Sequence, residues 1–142
     1  MIITRTPFRI TLGGGGTDLP SYYSKFGGFI FSFTLNKYMY ISVNRPYVDK
    51  LIRVKYSLSE TVKTIKELKH EIARASLNKV SIYDNIEISS MADLPAGIGL
   101  GSSSTYAVGL LNALHCLKRD HISLANLAEE ACDIEINVLK KP

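Results

Sequence analysis

The sequence predicts one α+β domain. Three observations predict it: strand-type alternation early in the chain, apolar residues at helical spacing over residues 60–78 and again after residue 102, and a glycine- and serine-rich loop between them. A length of 142 residues suits one domain with a hydrophobic core. With 46% hydrophobic and 21% charged residues, the composition is typical of a soluble globular protein.

The first strands are marked by β-branched and aromatic residues. Residues 1–12 interleave apolar and polar side chains, which predicts a strand that the glycines at 13–16 interrupt. A short helix or turn at 19–25 precedes residues 29–44, whose aromatic and β-branched content predicts one or two strands. Residues 51–56 alternate apolar and charged side chains, as in an exposed strand.

Helical periodicity begins at residue 60. Residues 60–78 predict a helix because apolar side chains recur at helical spacing, at Val62, Ile65, Leu68, Ile72 and Ala75. Residues 84–90 return to strand character and lead into a loop at 91–101. A helix is then predicted over 102–119, with a buried side formed by Tyr106, Leu110, Ala113, Leu114 and Leu117.

A last helix is predicted over residues 123–139, with Ser123 as its N-cap. Its inward-facing residues are predicted to be Leu124, Leu127, Ala128, Ala131 and Ile134. The two cysteines, Cys116 and Cys132, lie in apolar helical patterns, which predicts buried thiols. The sequence contains neither a CxxC motif nor a Cys/His cluster, so no pattern in it indicates a metal or redox site.

Charge and hydropathy exclude several classes of partner. A net charge of +4, from 17 basic and 13 acidic residues, suits phosphorylated ligands and falls short of the basic stripe of a nucleic-acid binder. No segment is apolar for long enough to span a bilayer, and the N-terminus lacks a signal-peptide pattern. We therefore expect a cytoplasmic protein with neither nucleic-acid nor membrane partners.

The most informative stretch is PAGIGLGSSST at residues 95–105, where three alternating glycines and a run of hydroxyls open a helix. Glycines allow positive φ and close backbone approach, and the first turn of a helix offers unpaired N–H groups, so together they make an anion site suited to phosphate. The structural alternative is a helix N-cap after a flexible turn. A Walker A loop does not fit, because it needs a lysine after its last glycine and Ser102 follows Gly101 here. A Rossmann fingerprint does not fit either, because the glycines at 97, 99 and 101 lack the G-x-G-x-x-G spacing.

This loop resembles the second motif of the GHMP kinases, P-x-x-x-G-L-G-S-S-(A/S), which lies over the ATP phosphates. Ser104 stands where alanine is commoner. The resemblance implies that Ser103, the second serine of the motif, contacts magnesium. It also implies a set of ATP-binding residues: Pro95, Gly97, Gly99, Leu100, Gly101, Ser102, Ser103 and Ser104.

A second glycine-rich motif, TPFRITLGGGGTDLP, occupies residues 6–20. One interpretation is a hairpin with Asp18 as a turn residue. The other is a loop that lets a polyol lie against the backbone while Asp18 accepts hydrogen bonds from sugar hydroxyls. Four consecutive glycines favour the second interpretation, since their flexibility is entropically costly in a mere turn.

The stretch is similar to the first GHMP motif, which in galactokinases is P-G-R-x-N-L-I-G-E-H-T-D-Y. Gly15 and Gly16 replace the galactokinase Glu-His pair, which argues against galactose. The version found here resembles that of the D-glycero-D-manno-heptose 7-phosphate kinases, which phosphorylate the anomeric hydroxyl. The implied substrate-binding residues are Arg9, Gly14, Gly15, Gly16, Thr17 and Asp18.

The last predicted helix resembles the family pattern A-x-x-I-E-x-x-x-L-x-x-P, with Pro142 at its end. This implies that Glu135 shares a magnesium ion with Ser103, a carboxylate and a hydroxyl being suitable oxygen ligands. The catalytic aspartate of the family lies beyond Pro142. We therefore expect residues 1–142 to be the N-terminal, ATP-binding domain of such a kinase, with the C-terminal domain absent.

The resemblance implies a ribosomal protein S5 domain 2-like fold, a mixed sheet backed by helices, and ATP-dependent phosphorylation of a sugar or sugar phosphate with Mg²⁺. Three alternatives stay open: a non-catalytic truncated fragment, a nucleotide-binding module, and a kinase for another sugar such as fucose or galactose. Alone, this chain is expected to lack activity. It is also expected to self-associate through the surface left by the missing domain.

Overall fold

The computed structural model describes residues 1–140. A five-stranded mixed sheet forms the centre of the fold, with strand order β1-β2-β5-β3-β4. Its strands are β1 (Ile2–Gly13), β2 (Phe31–Asn44), β3 (Ile52–Lys55), β4 (Ser59–Val62) and β5 (Ile86–Ala92). Neighbouring strands are antiparallel except β3 and β5, which pair in parallel. The mixed sheet backed by helices that the sequence predicts is confirmed.

Four α-helices accompany the sheet: α1 (Pro20–Phe26), α2 (Glu71–Lys79), α3 (Ser102–Lys118) and α4 (Leu124–Asp133). Short 3₁₀ turns occur at Gly15–Asp18 and Ile65–Glu67, and a π-helical segment, Ile134–Val138, continues α4. The predicted helix over 102–119 is confirmed, with Tyr106, Leu110, Ala113 and Leu114 buried. No helix within residues 1–140 is long and apolar enough to cross a membrane.

The core lies between one face of the sheet and α3. Alternate residues of β2 and β3, among them Ile41 and Ile52, are fully buried. At Gly109 the helix approaches β1 so closely that an added Cβ would lie 2.8 Å from Thr6 Oγ1. The Thr4 hydroxyl donates a 2.8 Å hydrogen bond to the carbonyl of Gly109. This tight contact fixes the position of α3, and hence of its first turn, over the sheet.

Two predictions about the middle of the chain are wrong. Residues 60–78 do not form one helix, because they contain β4, a 3₁₀ turn and then α2. The Glu60 carboxylate accepts hydrogen bonds from the backbone N–H groups of Lys69 and His70, which folds this segment back on itself. Residues 51–56 are not an exposed strand, since β3 lies between β5 and β4 and buries Ile52 completely.

Side-chain orientation also differs from the sequence prediction near the end of the chain. Ser123 does cap α4, accepting a 3.1 Å hydrogen bond from the backbone N–H of Asn126. Leu124 and Ala128 nevertheless face outward, and Leu124 is 84% exposed. Cys116 and Cys132 are exposed rather than buried. The buried apolar face of α4 is therefore narrower than its composition suggests.

Candidate active site

The loop before α3 has the backbone that its glycines predict. Gly97, Gly99 and Gly101 have φ values of 84°, 78° and 67°, in the left-handed region where residues with a Cβ are strained. A Cβ added at Gly97 or Gly99 would meet nothing within 4 Å. The loop therefore leaves open space beside its backbone.

The hydroxyls that follow the loop divide into two groups. Those of Ser104 and Thr105 donate to the carbonyl of Gly101 at 3.2 and 2.8 Å, so they stabilise the start of the helix. The hydroxyl of Ser102 makes no hydrogen bond with any residue from 1 to 140. Ser103 is exposed and points away from its own helix turn. Pro95 is exposed and Leu100 packs against the core.

Ser103 and Glu135 meet in the folded chain. The Ser103 hydroxyl donates a 2.5 Å hydrogen bond to Glu135 Oε1, which brings together the first turn of α3 and the π-helical segment Ile134–Val138. Hydroxyl and carboxylate oxygens are hard ligands of the kind Mg²⁺ prefers. No group of three or more His, Cys, Asp or Glu side chains that could hold a metal occurs within residues 1–140. Ser103 and Glu135 supply one such oxygen each, which suits Mg²⁺ because this ion usually keeps several water or phosphate ligands. Pro142, the end of the predicted helix pattern, lies outside the described residues.

Arg9 of the N-terminal motif lies against the glycine loop. A Cβ built on Gly101 would be 3.2 Å from Arg9 Nε and 3.3 Å from Cζ. Nη1 of the same side chain donates to Thr11 Oγ1 at 2.9 Å. A guanidinium at a helix N-terminus faces the positive end of the helix dipole, which favours an anion between them. The structure thus brings the two glycine-rich motifs together at Arg9.

The N-terminal glycines and Thr17 form a loop held to Phe29. Gly14 has a φ of 86°, and a Cβ there would overlap the Phe29 carbonyl. The Thr17 hydroxyl donates to the Gly14 carbonyl at 2.7 Å and accepts from the Phe29 N–H at 3.1 Å. Gly15 and Gly16 belong to the 3₁₀ turn that ends at Asp18. Gly14 and Thr17 thus stabilise the shape of this loop through contacts with each other and with Phe29.

Asp18 has the environment of a side chain available to a ligand. It is exposed, and its carboxylate makes no hydrogen bond with any residue from 1 to 140. Neighbouring Gly16 would meet nothing within 4 Å if it carried a Cβ. The turn is therefore open beside Gly16 and presents an unpaired, exposed carboxylate at Asp18.

A cavity of about 460 Å³ adjoins the first turn of α3, a size common for small-molecule sites. Residues from β2, β5, the β3–β4 turn, the α2 N-terminus and the glycine loop line it: Met39, Tyr56, Ser57, His70, Ile72, Ser90, Met91, Ala92, Leu94, Ala96, Ser102, Ser103 and Tyr106. A smaller cavity of about 180 Å³ adjoins Ser103, with Glu135 and His70 in its lining. No local sequence pattern signals these cavities, since their lining residues come from elements that lie far apart along the chain.

Hydrogen bonds organise one wall of the larger cavity. Burial raises the pKa of the Glu60 carboxyl, but hydrogen bonds from the Lys69 N–H, the Tyr56 hydroxyl and the His70 N–H outweigh it and leave this pKa below its usual value. Burial also lowers the pKa of His70, against the opposing charge of Glu60. Burial raises the pKa of the Tyr106 hydroxyl. Near neutral pH an ionised Glu60 therefore holds two of the lining residues, Tyr56 and His70, by hydrogen bonds.

Comparison with known proteins relates this chain to one kinase family. Residues 59–142 match the family model described as the GHMP kinases N-terminal domain. A Campylobacter jejuni D-glycero-alpha-D-manno-heptose 7-phosphate kinase is 30% identical over 124 residues, covering 79% of this chain and 36% of the relative. The family expected from the two motifs is confirmed.

Solved structures show the same fold. A D-glycero-D-manno-heptose 1-phosphate kinase from Bacteroides thetaiotaomicron superposes with a TM-score of 0.88 at 23% identity, over 100% of this chain and 50% of its own. Lactococcus lactis galactokinase, solved with galactose, has a TM-score of 0.71 at 18% identity, over 95% of this chain and 38% of its own. The chain thus spans half or less of the length of these relatives.

Proposed function

The chain belongs to the GHMP kinase family, and we propose that it is the ATP-binding part of a kinase that phosphorylates a sugar phosphate. The observation that carries the proposal is the meeting of Ser103, Glu135 and Arg9 around the glycine loop. These groups supply oxygen ligands for a cation and a positive charge for phosphate beside one helix N-terminus. Phosphoryl transfer needs mainly such positioning and charge neutralisation.

The nucleotide phosphates would lie on the loop formed by Gly97, Gly99 and Gly101. Its open backbone and the N–H groups of the first turn of α3 would donate to phosphate oxygens. The Arg9 guanidinium lies beside Gly101 and would add charge-assisted hydrogen bonds. Ser102 would supply a further hydroxyl donor.

The proposed magnesium ligands are Ser103 and Glu135. Bound there, Mg²⁺ would neutralise charge on the β- and γ-phosphates. Ser103 and Glu135 already lie in contact, so little rearrangement of the chain is needed to present both oxygens. Neither residue is fully buried, which leaves room for water ligands.

The proposed acceptor is the anomeric hydroxyl of D-glycero-D-manno-heptose 7-phosphate, held by the turn that ends at Asp18. The Campylobacter jejuni relative supports this substrate class. Asp18 would accept hydrogen bonds from sugar hydroxyls while Gly15 and Gly16 let the ring approach the backbone. Gly14 and Thr17 would act through the shape of this turn, since their polar groups are paired with each other and with Phe29.

A nucleotide-binding module without turnover is the second candidate function, favoured by the fact that the chain spans 36% of its curated relative. We propose that residues 1–142 alone bind nucleotide but do not transfer phosphate, because half of a cleft neither completes the positioning of the substrates nor excludes water. The exposed aromatic side chains Phe26, Phe29 and Phe31 support the accompanying expectation of self-association.

One experiment tests the nucleotide site that both candidates share. Purified residues 1–142 are mixed with ATP, Mg²⁺ and a panel of sugars that includes heptose 7-phosphate, and ADP release is followed. Binding of ATP without ADP release is the expected result. Magnesium-dependent turnover would mean that the chain is a complete catalyst, and failure to bind ATP would overturn the proposed function.

A further inference from the structure

His70 lies where the two cavities adjoin, and two aromatic rings hold its imidazole. It lines both the cavity of about 460 Å³ and the cavity of about 180 Å³. The Tyr106 ring stacks on it at a centroid distance of 4.6 Å and an angle of 30°. The Tyr56 ring meets it edge-on at 4.5 Å. The plane of the imidazole is therefore fixed before any ligand binds.

The hydrogen bonding of His70 fixes its tautomer. Nδ1 accepts a 3.2 Å hydrogen bond from the backbone N–H of Ala73 and so caps α2. A ring nitrogen that accepts a hydrogen bond carries no proton, so the neutral imidazole carries its proton on Nε2. Burial lowers the pKa of His70, which favours the neutral form near neutral pH.

Nε2 of His70 is left available to a ligand. It makes no hydrogen bond with any residue from 1 to 140. It is also not fully buried, unlike the Tyr106 hydroxyl, which has no partner and almost no accessible surface. Nε2 therefore keeps accessible surface, and His70 lines both cavities. His70 offers a neutral N–H donor of fixed direction in the two cavities that it shares with Ser103.

We propose that the Nε2–H of His70 donates a hydrogen bond to a ring nitrogen of the purine base, which makes His70 a specificity-determining residue of the nucleotide site. This inference rests on the proposed function, because it assumes that the phosphates lie on the glycine loop. The larger cavity beside that loop has apolar walls, including Met39, Ile72 and Leu94, that suit a flat base. A neutral donor there pairs with a neutral acceptor, and a base that presented an N–H at that point would leave two donors facing each other.

A substitution separates this role from the structural role of His70. His70→Asn keeps a side-chain oxygen that can cap α2, since asparagine is a preferred N-cap, but removes Nε2–H. His121→Asn, at an exposed position between α3 and α4, is the matched control. The ligands are ATP, which carries a base, and inorganic tripolyphosphate, which does not, and affinities are measured by calorimetry.

We expect His70→Asn to weaken ATP binding about three- to tenfold, the size of one neutral hydrogen bond, and to leave tripolyphosphate binding unchanged. Unchanged ATP affinity in a folded His70→Asn variant would overturn the inference and leave the proposed function standing. An equal loss for both ligands would also overturn it, because His70 would then act on the phosphates or on the fold. Failure of the unsubstituted chain to bind either ligand would overturn the proposed function as well.

A second measurement, imidazole ¹⁵N NMR, uses the unsubstituted protein and therefore does not alter the packing around His70. The chain has three histidines, so imidazole ¹⁵N resonances are few enough to assign. In the ligand-free protein, His70 should show the tautomer protonated at Nε2. Addition of ATP should shift the Nε2 resonance of His70, and addition of tripolyphosphate should not. A His70 resonance that ATP leaves unmoved, while the amides of the glycine loop shift, would contradict the inference.

Discussion

Lys79 Nζ lies 2.8 Å from Asp133 Oδ2, an ion pair that joins the last turn of α2 to the last residue of α4. The next residue along the chain begins the π-helical segment that carries Glu135. The hydrogen bond from Lys79 is the largest cause of the lowered pKa of Asp133, and a second comes from Asn137. This pair therefore ties the segment that presents Glu135 to α2.

Removing this ion pair is expected to change the pH dependence of stability. Because the pKa of Asp133 is lowered in the folded chain, its contribution is present above the unfolded value of 3.8 and is lost as the pH falls through the folded value. Lys79→Met should therefore lower the free energy of unfolding at pH 6 and have little effect at a pH below the folded pKa. Urea unfolding at both pH values is the measurement. An equal loss at both would indicate that the Lys79 side chain acts through packing.

The close approach of α3 to β1 predicts a stability loss at Gly109. An alanine methyl there would lie 2.8 Å from Thr6 Oγ1 and 3.3 Å from Ile41 Cδ1. We expect Gly109→Ala to lower the free energy of unfolding by about 1–3 kcal/mol, the usual cost of overpacking. Gly16→Ala is the control, because a Cβ at that position meets nothing within 4 Å. A Gly109→Ala variant as stable as this control in urea would show that α3 can shift without cost.

Strands β1 and β2 and the glycine loop could be predicted from the sequence because each depends on local chemistry. Alternation in β1 and β2 and the glycines of residues 97–101 determine their own backbone. The segment 60–78 could not be predicted, since its helical spacing competes with hydrogen bonds that the Glu60 carboxylate makes to backbone groups nine and ten residues later. The outward orientation of Leu124 and Ala128 could not be predicted either. Which apolar residues of a helix become buried depends on the elements that pack against it, and the helix sequence alone does not specify them.

The site was predictable in part. The glycine loop could be recognised from its sequence motif. The structure places Ser103 and Glu135 in hydrogen-bond contact, while their shared role at a magnesium ion stays a prediction. The position of Arg9 beside Gly101 depends on how β1 packs next to α3, which no local pattern encodes. The same holds for His70, whose signal in the sequence is only that it precedes a helix.

The open turn at Asp18 predicts a selective loss of sugar binding. Asp18→Ala removes a carboxylate that is exposed and makes no hydrogen bond within residues 1–140. We therefore expect weaker binding of heptose 7-phosphate, unchanged ATP affinity and an unchanged melting temperature, since no contact of the fold is lost. Ligand-observed NMR with each ligand is the measurement. Equal losses for both ligands would indicate a structural role for Asp18.

Ser103 and Glu135 are predicted to act as a unit on magnesium. Ser103→Ala and Glu135→Gln should each reduce the Mg²⁺-dependent gain in ATP affinity about tenfold, as expected for the loss of a charge-assisted interaction. The double variant should lose little more than either single variant, because the two side chains are in contact. Glu129→Gln, on the exposed face of α4, is the control. Additive losses in the double variant would contradict a shared ion.

Calorimetry of ATP with Mg²⁺, carried out on the Gly99→Val, Gly101→Val double variant, tests whether the nucleotide binds at the glycine loop. Valine is strained at the positive φ of both positions. Its side chain would occupy the open space beside Gly99, and at Gly101 it would press against Arg9 and Ser104. Gly27→Val is the matched control, with a comparable φ of 72° outside the loop. We expect the double variant, still folded by circular dichroism, to lose measurable ATP binding while the control retains it. ATP affinity unchanged in the folded double variant would show that the nucleotide binds elsewhere.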